Sequence, residues 1–351
     1  MSFYKSYNVA IFAEKITADM ATLISKLPDI AFPYELNLLK IAADRKVEVK
    51  ITYAGHVLMD TVLYPIDGVI ELYDMAVHII DFLSDEIKTM TITLDGKEVR
   101  SLQILPNNMG VDCTAKECST DTYMTRATVK YTHPEAKELL HFVCNGETYG
   151  IVTAVAKKDG MVVKSQQELP LTLEGNIATL DVSPSVLFSL DGYELTEYSV
   201  GVGRRTMKFR MMPDGMVDKL HEFGFINSFM QEEYIALMGD AEREVKVERR
   251  ESYIRGQLRN FHVEAFPHWT IRTLIPDGMA GVFDDLVAAK ELWRKEDGCI
   301  LAITESEDKT SSSSSAMNSG SLTLREAGRI YTHHPARPIK TFDITFDDTF
   351  L

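Results

Sequence analysis

The residues of this chain best suited to chemistry are its four cysteines, its nine histidines and a few paired acids and glycines. Cys113 and Cys118 have the spacing of half a zinc site, and His141 with Cys144 are the nearest residues that could complete it. That second pair fits none of the usual zinc spacings, so reduced structural thiols account better for Cys113, Cys118, Cys144 and Cys299. His262 and His268 flank Trp269, and His333-His334 precedes Pro335, without a third ligand or the i, i+4 geometry of a zinc helix. Asp284-Asp285 and Asp347-Asp348 are the acid pairs a glycoside hydrolase would need, yet adjacent helical residues face apart and such a pair must converge on one bond. Gly201-Val-Gly203-Arg-Arg lies between two strand candidates instead of before a helix, so a hairpin turn explains it better than a phosphate cradle. The chain has no Gly-x-Ser-x-Gly elbow. No catalytic, cofactor-binding or metal residue is therefore assigned, and the chain reads as non-enzymatic.

The elements that would position a site are mostly strands. Val47, Val49, Ile51 and Tyr53 alternate with polar partners, Ala54-Gly55 turns the chain, and residues 57–64 return to Pro65. One constant offset then sets Gly68 on Gly175, Asp74 on Asp181, Gly96 on Gly203 and Pro106 on Pro213. A slightly smaller offset upstream sets Gly55 on Gly160 and Pro65 on Pro170. Each copy ends in a second hairpin, residues 89–94 with 99–105 and residues 196–202 with 206–212. Two tandem β-sandwich-like domains, 1–106 and 125–213, are predicted, joined by a linker or exposed loop over 107–124. Residues 18–27 have apolar positions at helical spacing. So do residues 72–83, whereas Pro184 limits the second copy to a shorter helix or a turn.

Residues 214–334 are read as a third, β-rich α+β domain. The run 244–251 alternates charges around Val245 and Val247, as an exposed or edge strand does; its minority use is to pair with a partner's edge. Two aromatic strands follow, and then Met279, Val282, Phe283, Leu286 and Ala289 form an apolar stripe that predicts one amphipathic helix over 279–292, capped by Asp277 and lying across a sheet. Cys299 opens the most apolar strand, the serines 311–315 suit a hairpin tip, and residues 335–351 form an extended arm. Pro335 and Pro338 deny that arm a helix, while Phe342, Ile344 and Phe346 alternate as a strand does and need burial on a neighbouring subunit or on their own domain.

With 351 residues, 45% hydrophobic, the chain has enough apolar material for several cores. A net charge of −15 argues against nucleic acid. The absence of a basic and apolar leader or a long apolar run points to synthesis in the cytoplasm and no membrane partner.

Phe225-x-Asn227-x-Phe229, Glu248-Arg-Arg250 leading to Tyr253, the strand ending Thr270-Ile-Arg-Thr-Leu274 and the strand from Ile300 before the serine run together carry a resemblance. Residues 220–332 resemble proteins encoded by phages and prophages of gut Bacteroidetes that look like tail or other virion structural components. The resemblance implies a structural subunit assembled into a virion with copies of itself and other tail proteins, and it brings no catalytic residues. Recognition of carbohydrate or a cell surface by a β-sandwich, and hydrolysis, are the alternatives.

Overall fold

The computed structural model describes residues 21–187, 192–213, 219–254, 257–309, 317–326 and 331–332. The chain divides into two compact units, residues 1–110 and 111–351.

In the first unit the strands are β1 (Thr22–Leu23), β2 (Ile30–Ala31), β3 (Leu38–Ala42), β4 (Val47–Tyr53), β5 (His56–Leu63), β6 (Val69–Tyr73), β7 (Lys88–Leu94) and β8 (Lys97–Ile104). They form a three-stranded sheet, β1-β3-β6, and a five-stranded sheet, β2-β8-β7-β4-β5. Strict alternation in β4 buries Val47, Val49, Ile51 and Tyr53. Leu39, Ile41 and Ile70 of the smaller sheet share one core with Ile51, Met90, Ile92 and Leu102 of the larger, which makes the pair a sandwich. Helix α1 (Met75–Ile80) is shorter than the stripe over 72–83, because Leu72 already belongs to β6. Thr22 and Leu23, inside the expected helix 18–27, are instead the short strand β1, and its pairing with β3 overrides their helical spacing.

The second unit begins with helix α2 (Ala115–Asp121), where a linker was expected. The Thr114 hydroxyl accepts a hydrogen bond from the Glu117 amide and the Glu117 carboxylate accepts one from the Thr114 amide, a capping box. Strands β9 (Val129–Thr132), β10 (Leu139–Val143), β11 (Tyr149–Lys158), β12 (Met161–Pro170), β13 (Thr172–Glu174), β14 (Ile177–Asp181), β15 (Glu194–Val202) and β16 (Arg205–Met211) follow. They build the sheets β10-β14-β13 and β12-β11-β15-β16-β9.

The larger sheet repeats the strand order of the first unit element by element. In both copies the short first strand lies parallel to the last strand of the second hairpin, β2 on β8 and β9 on β16. Gly96 and Gly203 both occupy the left-handed region in the matching turns, with φ of 75° and 57°. The copies differ at the edge of the small sheet, where β1 flanks β3 in one and β13 flanks β14 in the other. Residues 184–187 form a turn where the first copy has α1, as Pro184 dictates.

The third region supplies β17 (Leu220–Ile226), β18 (Glu232–Ile254), β19 (Gln257–Pro276), helix α3 (Ala280–Ala288), β20 (Leu292–Arg294), β21 (Leu301–Lys309), β22 (Met317–Glu326) and β23 (Tyr331–Thr332). Its sheet runs β20-β17-β18-β19-β22-β21, with β23 against β19. The helix ends earlier than expected, because Leu292 is recruited as a strand against Phe225. This region does not stand apart from the second copy: Phe225, Ile271, Phe283 and Leu322 share one core with Phe142, Leu180, Val200 and Phe209. The apolar faces of both sheets and α3 are covered only when stacked together, so position 213 separates no units. Ser311 to Ser315 and the arm 335–351 lie outside the described residues.

Candidate functional site

The densest set of ionisable side chains joins the second copy to the third region. Lys130, on β9, is wholly buried, and its Nζ lies 3.2 Å from Glu138 and 3.0 Å from Glu233. Glu233, on β18, also accepts from the Thr125 hydroxyl at 2.6 Å and from the Asn227 amide nitrogen at 2.8 Å. Asn227 caps the turn between β17 and β18, its Oδ1 accepting from the amides of Phe229 and Gln231, both at 3.0 Å. Met230 in that turn adopts a φ of 60°. The motif Phe225-x-Asn227-x-Phe229 is therefore a turn that ties into the buried lysine.

Burial works against the charge of Lys130, but the carboxylates of Glu233 and Glu138 outweigh it and hold the ammonium above its ordinary pKa. Burial raises Glu138, and Lys130 offsets that only in part. With Lys130 at 0% and both acids at 5% or less exposed, the triad has no opening to a substrate and acts as an internal lock.

Beside it Arg126 reaches both members of the acid pair on α3, Asp285 at 3.2 Å and Asp284 at 3.4 Å. Asp285 also accepts from the Ser228 hydroxyl at 2.8 Å. Burial pushes its carboxyl up to about 6, against the hydrogen bonds from Ser228 and the charge of Arg126. Because the folded pKa lies above the unfolded one, the unfolded chain loses this proton first, and stability falls as pH rises from about 4 to about 6. Relative to Asp285→Asn, the native chain should lose roughly 2 to 3 kcal/mol over that window. Urea melts of both proteins at pH 4 and pH 7 measure the difference, and parallel profiles would remove Asp285 as the cause.

A second anchor was not legible as one. Arg205, in the Gly201-Val-Gly203-Arg-Arg turn, is fully buried; it donates to the carbonyls of Thr122, Ser119 and Val143 at 3.1, 2.6 and 2.8 Å and pairs with Glu147 at 2.8 Å. Its guanidinium also lies 4.9 Å from the Phe142 ring centroid. Lysine offers no planar fork to reach three carbonyls, so Arg205→Lys should cost about 1–3 kcal/mol in a thermal or urea melt.

The remaining candidates do not converge. His141 spends Nδ1 on the Thr179 hydroxyl and Nε2 on the Glu232 carbonyl, both at 2.9 Å, and burial lowers its pKa. All four cysteines are unbridged. A hydrogen bond with Cys113, then burial, push the Cys118 thiol well above its ordinary value. Cys144 donates to the Glu147 carbonyl, and His268 meets the Phe266 carbonyl. Among the described residues no group of three His, Cys, Asp or Glu side chains could hold a metal ion. His262 has no described side chain, and His333-His334 and Asp347-Asp348 lie outside the described residues.

One cleft opens between the second copy's large sheet and the third sheet. It encloses about 540 Å³, bordered by Met211, Met212, Met238, Leu274 and Met279 among others, and no histidine, cysteine or aspartate lines it. Lys157, Thr196, Glu197 and Arg210 line it too, so the methionine-rich wall can accept an apolar group that carries a polar or charged end.

The chain matches no known family model and no curated protein. Its chemistry therefore rests on geometry. Among the described residues no helix is long and apolar enough to cross a membrane.

Beyond Gly239, β18 loses β17 and becomes an edge of the sheet, and beyond Glu244 it runs past the end of β22. Every residue from 240 to 253 is exposed, Val245 and Val247 to 45% and 36% and Tyr253 to 75%. Strand β17 accompanies β18 only over 232–238, and β19 alone accompanies it from Asp240 to Ile254 among the described residues. On the far side of β19, among the described residues, β22 pairs as far as His268 and β23 pairs with Glu264 and Ala265.

Proposed function

We propose that this chain is a non-enzymatic structural subunit that assembles with copies of itself, as a tail-type component of a virion does. The observation that carries the reading is the β18–β19 arm. Ordering a residue costs about 1–2 kcal/mol of backbone entropy, and the stretch 240–253 of β18, exposed throughout, recovers little of that by burial within its own chain. Surfaces held out in this way are returned their cost by a partner. The buried Lys130 and Arg205 networks support the same reading, because they stiffen the base from which the arm projects. The resemblance of residues 220–332 to phage and prophage virion proteins points in the same direction.

The test is light scattering on the full chain across a concentration series, with electron micrographs of the same sample. Masses of several chains, seen as rings or tubes, are expected. A single-chain mass at every concentration would overturn the proposal.

A further inference from the structure

The outer edge of β18 has a charge order that selects its own partner. From Arg243 to Glu251 the strand reads Arg, Glu, Val, Lys, Val, Glu, Arg, Arg, Glu. When two copies of this strand are laid antiparallel, the register that sets Val247 opposite itself brings Lys246 against Glu248, Glu244 against Arg250 and Arg243 against Glu251. Symmetry repeats each pair, and no like charges meet. The neighbouring registers fail: moving by one residue sets Glu244 against Glu251 or Arg243 against Arg250, and moving by two sets Lys246 or Glu248 against itself. Directly opposed residues on antiparallel strands have Cβ atoms about 4.5–5.5 Å apart, so opposite charges there attract and like charges repel.

We propose that the exposed edge of β18 pairs with the same edge of a second copy of this chain, antiparallel about a two-fold axis at Val247. The proposal rests on the self-assembly reading and names its contact. The register shift near Arg250 puts the extra residue on β19, so β18 itself stays regular along the pairing edge. Residues 240–254 of each copy oppose one another over roughly 50 Å at about 3.4 Å per residue. The exposed valines 245 and 247 gather at the centre on one face, flanked by the Arg249 stems. Edge strands avoid association with charges, a proline or a bulge; this stretch of β18 has neither a proline nor an extra residue of its own, and its charges are self-complementary in order. An isologous contact of this kind, combined with a ring, closes into a dihedral assembly.

The test uses the full chain. Val247→Cys places two thiols across the axis at a Cα separation of about 4.5–5.5 Å, within disulfide range. Mild oxidation should give a covalent dimer on a non-reducing gel, which neither the parent chain nor Val245→Cys gives. Glu244→Arg or Arg250→Glu should each weaken self-association at least tenfold, and the double variant should restore it. An assembled chain without the Val247→Cys dimer, or with indifferent charge variants, overturns this contact and leaves the assembly reading standing. A cross-linked dimer that grows no further keeps the contact and sinks the tail-type reading; a monomer at all concentrations sinks both. Cross-linking that appears only after removal of residues 335–351 would mean that the chain's own arm covers the edge, and would overturn the proposal.

Discussion

Lys130→Met should destabilise the second unit by about 3–5 kcal/mol, because it strands the buried carboxylates of Glu138 and Glu233 without their shared counter-charge. In the native chain Glu138 and Glu233 face one ammonium at 3.2 and 3.0 Å. Without it, the burial that already raises the Glu138 carboxyl is no longer offset, and leaving that group ionised or protonating it costs free energy at neutral pH. The pH dependence separates this cause from simple loss of packing. Methionine fills nearly the lysine volume, so a packing defect would be the same at every pH. Carboxylates whose folded pKa is raised above the unfolded value destabilise above the unfolded pKa and cease to do so once protonated. The deficit of Lys130→Met should therefore shrink as pH falls from 8 toward 5 in urea melts. A deficit that stays constant would remove the stranded acids as its source. The triple variant Lys130→Met, Glu138→Gln and Glu233→Gln should recover much of the loss, as apolar or neutral replacements of buried ion clusters do.

Why some features were legible and others were not follows from what each depends on. The hairpins were readable because period-two alternation and left-handed turn glycines are local, and the duplication because Gly96 and Gly203 punctuate matching strands. The exposed character of residues 244–251 was readable for the same reason. Lys130 was not. A lysine in Val-Lys-Tyr-Thr looks like the solvent side of an edge strand, and only the arrival of Glu138 and Glu233 makes it a core residue. Arg205 was hidden by its glycines, which announce a turn but not that carbonyls from Ser119, Thr122 and Val143 converge on the next side chain. Helix α2 could have been found, since Thr114-x-x-Glu117 is a capping box with a local signature. The absence of a boundary at 213 depends on which apolar faces meet, and no local pattern reports that.

Phe283→Ala should cost about 3–5 kcal/mol and lower the melting temperature by roughly 6 to 20 °C for a unit of this size. Phe283 is 1% exposed, in the shared core with Val282, Leu286 and Met279. It presses on the backbone of β22 at Gly320, where a Cβ would come within 3.1 Å of the Phe283 ring and 2.6 Å of Ile275. Glycine there lets α3 sit close to the sheet, so the ring has no slack in which to relax. Gly320→Ala alone should therefore destabilise by overpacking. In the double variant the new methyl enters space that the ring has left, and only the flexible end of Ile275 must give. The two losses should then fall short of additive by about 0.5 kcal/mol or more, the coupling expected of residues in direct contact. Additive losses in a double-mutant cycle would mean that α3 does not rest on β22 through this pair, and would undo the account of how the helix is held to the sheet that carries the arm.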